Sequence, residues 1–289
     1  MDDELHAVYR FLFPARTPVR TPGHTYPDAM IAWIELFRVG RHLSMRAAMQ
    51  RRHWPLWMRH RPSPSYSQFK RRVATDAVQQ LIQRVGDHFA ACCPRTGDKA
   101  VDGKPLTVGG FSKDPDATRG HVPGGWARGY RLHAVIDAAG PIESWQITAL
   151  HAGEATVARE VLRRLDLREA TVRADANFDS NALYQQVATQ GGRMVTPRRK
   201  PHTGLGHGRH HPDRLRAIAE LEQTPGGKAA HDRHRVRIEQ VFGRLSLLAT
   251  GLWSLPPSVR RLSRVTRYVR SKITLYHAHL ALKHRAAET

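Results

Sequence analysis

The chain has 289 residues, with 46 Lys or Arg against 25 Asp or Glu, a formal net charge of +21 and a pI near 11.1. That length buries a good core in one large domain or two smaller ones, and a positive surplus of this size points to a polyanionic partner. No apolar run reaches the ~18 residues of a membrane-spanning helix, and no signal-peptide core follows the acidic start MDDELH, so a cytoplasmic protein is expected.

In chain order, residues 1–27 combine a short apolar helix, LHAVYRFLF, with the Pro-rich tether PARTPVRTPGHTYP. DAMIAWIELFRVGRHL (28–43) carries Ile31, Ile34, Leu36 and Phe37 at helical spacing, with Asp28 as N-cap and Gly40 as stop. Ser44 caps a second helix, SMRAAMQRR. After Trp54 and Trp57, SYSQFKRRVATDAVQQLIQRVGDHFAACC opens a third on Ser65, with Lys70, Arg71 and Arg72 in its first turns. This helix count and basic face predict a helix-turn-helix DNA reader within an N-terminal domain of residues 1–93. Cys92 and Cys93 are adjacent, which suits neither a loop-closing disulfide nor a zinc ribbon.

From Pro94 to Asp98 the composition breaks, and the pattern turns to β. AVDGKPLTVGGF, YRLHAVI (130–136) and IESWQITAL (142–150) predict an antiparallel meander, with SKDPDATRGHVPGGWARG (112–129) as a mobile Gly/Pro-rich loop. There follow a helix EATVAREVLRRL, a strand TVRADA (171–176), a helix SNALYQQVATQ capped by Asp179 or Ser180, a strand RMVTP, and the helix DRHRVRIEQVFGRL (232–245). This order predicts an α/β domain with a mixed sheet over 98–250. In the last helix Val236, Ile238, Val241, Phe242 and Leu245 form a core-facing stripe, and Arg235 stands one turn before Glu239 on the same face. From Arg193 onward there are 20 basic against 6 acidic residues. The patch Arg198, Arg199, Lys200 and the helix 257–285, with Arg260, Arg264 and Arg267 on its polar side, are therefore expected to meet phosphates, the latter as a basic extension over 251–289.

Three acids draw the argument together. Asp102 lies inside the first strand, where an unpaired carboxylate is costly. Asp175 closes the fourth strand, and Glu239 sits on the helix after the fifth. A first strand beside a later parallel one brings the aspartates together where ligands collect, and a helix crossing the sheet adds the glutamate. Converging carboxylates stay ionised only around a cation, and hard oxygen donors with a phosphate substrate select Mg²⁺, with Mn²⁺ as substitute. By contrast Asp137 belongs to a hairpin turn, Asp179 to a helix start, and Asp114 and Asp116 to a loop. The four histidines of HTGLGHGRHHPDR (202–214) read as a basic DNA-contacting loop rather than a zinc site.

VDGKPL around Asp102, GYRLHAVIDAAG, ADANFDS around Asp175, MVTPRRK and RHRVRIEQVFGRL with its R-x-x-x-E together resemble the DDE transposases of bacterial insertion sequences. The resemblance is to the branch without a large β insertion before the final Glu, since only 64 residues separate Asp175 from Glu239. It covers about 98–250 and implies an RNase-H-like core, Asp102, Asp175 and Glu239 as a triad holding two metal ions, and Arg235 as helper on the Glu helix. It further implies cleavage at element ends, strand transfer by the released 3′-OH, double-stranded DNA as partner, a homodimer on DNA, and association with the bacterial nucleoid. His151 and Glu154 fall where that family carries a polar pair, although the start of a helix accounts for them as well. Two positions depart from the family: its tyrosine before the arginine is Asp232, and its lysine after the glutamate is Ser246. The alternatives are an RNase-H-like nuclease that cuts without joining, and a non-enzymatic repressor derived from such a core.

Overall fold

The computed structural model describes residues 1–14, 26–200, 203–205, 207–247, 252 and 255–288, with backbone alone at 246 and 247. Most of the Pro-rich tether expected over 14–27, His202 and the side chain of Ser246 lie outside the described residues. The chain divides into two units, one of Met1–Cys93, Arg244–Leu252 and Ser258–Thr289, the other of Pro94–Gly243 and Trp253–Pro257.

The first unit is helical. Its axis is α2 (Asp28–Gly40), buried from Ala29 to Gly40. Beside it lies α1 (Asp2–Leu12), whose Leu5 carbonyl accepts from Trp33 Nε1 at 3.3 Å. Asp28, expected as N-cap, makes no cap bond; its carboxylate accepts from Arg72 Nη2 at 2.5 Å. Ser44 caps α3 (Met45–Ala48), accepting from Ala47 N at 3.1 Å. The single helix expected from Ser65 is two: α4 (Tyr66–Arg72), with a complete Ser65–Gln68 capping box, and α5 (Asp76–Ala91). The break follows from Thr75, whose Oγ1 donates to Arg72 O at 2.8 Å and so captures a carbonyl that a continuing helix would use.

At the far end of the chain α10 (Leu262–Glu288) packs on α5, α2 and α1. It starts five residues later than the expected 257–285 helix. The α5–α10 crossing is close at Gly86, where a Cβ would meet Thr274 Oγ1 at 2.9 Å. Thr274 Oγ1 donates to Ile82 O at 3.2 Å, tying the two helices together. The polar side of α10 turns partly inward: Lys272 is 2% exposed, and Arg270 donates to Gln79 Oε1 at 2.6 Å.

The second unit is built on a six-stranded mixed sheet. Its centre is β1 (Asp98–Thr107). The hairpin of β2 (Thr118–Val122) and β3 (Gly125–Asp137) flanks it on one side, β3 running antiparallel to β1. The same edge of β3 carries β2 along Gly125–Gly129 and then β4 (Ile142–Ala149) along Tyr130–Ile136. On the other side β5 (Thr171–Arg173) and β6 (Arg193–Val195) continue in parallel. The stretch 112–129 is thus in large part a hairpin rather than a loop. Pro123 and Gly124, the latter at φ +87°, make its two-residue turn, and their turn-forming composition masked the strands around them.

Helices α6 (Glu154–Arg163), α7 (Asn181–Thr189) and α8 (Pro212–Glu222) cover one face. Val161 and Leu162 of α6, Leu183 and Val187 of α7, and Leu221 of α8 share a core with Val101, Val135 and Val172 of the sheet. Each such side chain, fully buried, contributes about 1.5–3 kcal/mol. The histidine-rich stretch has a local role in starting α8, where His211 Nδ1 accepts from Asp213 N at 3.2 Å. α9 (Gly227–Leu247) buries Ile238, Val241, Phe242 and Leu245 but leaves Val236 45% exposed, so the core stripe is one residue narrower than expected.

Candidate active site

Alternation along β1 puts Val101, Gly103 and Pro105 on one face and Asp102 and Lys104 on the other. Val101 joins the core under α6, while Lys104 Nζ stands 5.9 Å from the Phe242 ring of α9. α9 therefore covers the Asp102 face. A bond from Arg237 Nη1 to Ala138 O at 3.2 Å anchors that helix to the turn after β3.

Asp175 reaches the same place through register. The parallel pairs Asp98↔Thr171, Lys99↔Val172 and Ala100↔Arg173 run at a constant offset, and two residues further that offset brings Asp102 level with Asp175. There the strand ends, and Asp175 caps a short 3₁₀ turn, Ala176–Phe178, accepting from Asn177 N at 2.7 Å. Burial pushes the Asp102 carboxyl up to about 7; the Gly103 N–H, 2.7 Å away, opposes that, Asp175 adds to it, Arg235 works against it and Glu154 adds to it again.

Arg235 is the link to the third acid. It acts electrostatically on Asp102, and its Nη2 stands 3.4 Å from Glu239 Oε1, while the Glu239 side chain is 61% exposed. Glu154, at the start of α6, acts electrostatically on Asp102 and with Asp175. Burial raises its pKa, Arg131 lowers it through a direct ion pair, and Asp175 raises it. A Cβ at Gly103 would stand 3.0 Å from Arg131 Cδ and 3.2 Å from Glu154 Oε1, so glycine leaves room for that pair beside the aspartate. Arg131 is what the sequence did not single out, because a strand pattern absorbed it; Glu154 was noted with His151 as a polar pair that the start of a helix accounts for as well.

The structure thus places Asp102, Asp175 and Glu154 in mutual electrostatic range, with Glu239 joined to them through Arg235. No group of three or more His, Cys, Asp or Glu is drawn close enough to hold a metal ion among the described residues. The donor chemistry nevertheless fits one: oxygen donors only, a half-buried carboxyl whose ionisation is suppressed, and repulsion that a hard divalent cation relieves.

The other singled-out residues fall in distinct settings. Lys70 and Arg71 are exposed on α4, whereas Arg72 is buried against Asp28 and the Tyr26 carbonyl. Arg198 is bound by Glu222 at 2.5 and 2.6 Å, Lys200 is exposed, and Arg199 Nη2 donates to Asn177 O at 2.7 Å, on the turn that Asp175 opens. Arg260 donates to Val259 O at 2.8 Å, Arg264 is exposed and Arg267 is half-buried. Asp179 caps nothing: it is clamped by Arg214 at 2.6 and 2.8 Å, and Ser180 caps α7. Asp137 is fully buried and accepts from Thr96 and from Ala139 N, so it secures the segment that leads into β1 as well as the turn.

Comparison with known proteins matches residues 96–255 to a family described as the transposase DDE domain. None of the curated proteins matches. Among solved structures, the cryo-EM structure of a piggyBac transposase synaptic complex with hairpin DNA is similar in fold, at a TM-score of 0.54 and 10% identity, over 99% of this chain and 73% of that one. No helix among the described residues is long and apolar enough to cross a membrane.

Proposed function

This chain belongs to the transposase DDE-domain family, an enzyme family whose chemistry depends on divalent metal ions, and from that premise we propose that it is the transposase of a bacterial insertion sequence. In this reading it hydrolyses the phosphodiester at each element end and uses the released 3′-OH to attack target DNA. The observation that carries the reading is the β1–β5 register that levels Asp102 with Asp175 under α9. Asp102, Asp175 and Glu239 would hold two Mg²⁺ ions, with Mn²⁺ able to substitute, and Glu154 is the further carboxylate facing them. Bound metal supplies activation of the attacking oxygen and stabilisation of the leaving one.

The protein's own groups position and neutralise. Asp102, whose carboxyl is pushed up to about 7, would hold a metal ion as its ionised form. Arg235 restrains Glu239 and offsets the charge of Asp102. Double-stranded DNA is the partner, in keeping with the net charge of +21 and with the hairpin DNA in the piggyBac complex. Lys70, Arg71, Arg199, Lys200 and Arg264 are the exposed members of the phosphate-contacting set, and Arg198, Arg260 and Arg267, each partly buried, lie near them in the sequence. Two ends handled together call for a homodimer on DNA.

The test compares nicking and strand joining in Mg²⁺ by Asp102→Asn, Asp175→Asn, Glu239→Gln and Glu154→Gln, with the exposed Asp166→Asn as control. Both aspartate variants and Glu239→Gln are expected to lose at least about 100-fold, the scale of lost charge stabilisation in a transition state. Undiminished cutting by either aspartate variant overturns the site. Cutting without joining favours a simple nuclease, and loss at Glu154 with none at Glu239 moves the third carboxylate to α6.

A further inference from the structure

The helical unit contains a cavity of about 500 Å³ whose lining is strongly cationic. At its base Arg38 binds Glu35 through two bonds, of 2.8 and 2.6 Å, and both side chains are buried. That carboxylate is the sole acid lining the cavity among the described residues, and it is already engaged. Around it stand Arg267, Arg264 and Lys70, none within ion-pair distance of a carboxylate among the described residues, and Arg46, whose guanidinium lies 5.0 Å from the centre of the Tyr66 ring. Four further cations, Arg46, Lys70, Arg264 and Arg267, therefore line a space whose Glu35 is already paired with Arg38. Burial, and after it the neighbouring Arg264 and Arg38, hold the Arg267 guanidinium below its ordinary pKa against the pull of Glu35. Val73 and Val259 supply apolar wall, so the space is not merely a charged surface but a concave site of ligand size, within the ~300–1,000 Å³ typical of small-molecule pockets.

We propose that this cavity is a binding site for a phosphate ester of nucleotide size, its phosphate held by Arg267, Arg264 and Lys70 and its remaining part against Tyr66 and Arg46. Guanidinium groups suit the tetrahedral oxyanion, which accepts several charge-assisted bonds at once and relieves the repulsion among the cations. The stacked Tyr66–Arg46 pair offers a flat face of the kind on which a nucleobase packs. The same chemistry is presented by the terminal phosphate of a DNA strand and by a free nucleoside phosphate. The inference deepens the reading of the chain as a DNA-processing enzyme, but its physical basis is the cavity alone.

Calorimetric titration of the full chain in metal-free buffer tests it, with a nucleoside triphosphate and with a short single-stranded oligonucleotide bearing or lacking a 5′-phosphate. One saturable site is expected, weakened roughly tenfold or more in Lys70→Gln and in Arg267→Gln, the scale of one lost charge-assisted contact, and unchanged in Lys283→Gln, an exposed charge on α10 outside the cavity. Lys70 is exposed, so its variant keeps the fold if Arg267→Gln does not. Preference for the phosphorylated oligonucleotide assigns the ester to a strand end, and preference for the triphosphate assigns it to a free nucleotide. Absence of saturable binding to every probe, or equal weakening in Lys283→Gln, overturns the proposal. Ester binding without DNA nicking would instead sink the transposase reading and leave the cavity site standing.

Discussion

Asp102 carries an electrostatic cost that the metal-free protein cannot shed. Its carboxyl has an ordinary pKa of 3.8 and is pushed up to about 7 in the fold, so the folded chain holds a proton that the unfolded chain has already released. Stability from this group is therefore complete below the unfolded value and is lost as pH rises through about 7. In metal-free buffer Asp102→Asn should melt higher than the parent at pH 8, by about 1–2 kcal/mol once the shift is discounted for partial exposure, and nearly equal to it at pH 4. Thermal melts at the two pH values check this; an equal difference at both would mean that Asp102 does not titrate as described. Glu154 is raised by the same burial and by Asp175, but Arg131 offsets part of the cost, so Glu154→Gln should show the weaker pH dependence of the two.

Among elements, the pairing of β1 with β3 fixes the site, because it sets which face of β1 looks toward α9. The pairing tolerates no side chain at Gly129, where a Cβ would fall 2.2 Å from Leu106 O. Since that neighbour is backbone in the partner strand, Gly129→Ala should cost more than about 2 kcal/mol, well beyond an ordinary surface substitution. Urea unfolding measures it, and an unchanged midpoint would show that the strand edge yields. β4, β5 and the later half of β3 were legible in the sequence because β-branched and aromatic residues outweigh turn formers there, β1 through its loose alternation alone, and α6 and α7 because their apolar positions recur at helical spacing. β2 was not, since Gly120 lies where a Cβ would meet Leu150 O at 2.7 Å, and its neighbours Pro123, Gly124 and Gly125 form the turn; residues chosen for close approach and reversal look like loop. The aspartate pair was readable because strand register preserves sequence spacing, whereas the Arg131–Glu154 pair forms only when α6 folds back over the sheet. The split of α4 from α5 likewise depends on one Thr75 hydroxyl that no periodicity reports.

At the scale of the whole molecule, a surplus of +21 remains even if every acid is matched with a base, and it should dominate encounter with DNA. A log–log plot of affinity against salt is expected to fall with a slope steeper than about −3, and a shallower one would mean that few phosphates are neutralised. The packing of α10 on α5, α2 and α1 has a different kind of consequence, in time rather than in energy. The ribosome makes α1, α2 and α5 before the sheet unit, and must add the 170 residues between Ala91 and Leu262 before the helix that covers them begins. At typical elongation rates of about 5–20 residues per second, that interval is on the order of ten seconds. During it the sheet unit has all of Pro94–Gly243 available to it, while the helices made earliest still lack their neighbour. Maturation thus runs out of step with synthesis: helices translated before the sheet unit are finished after it, and a chaperone that shields apolar helices has its longest task on α1, α2 and α5.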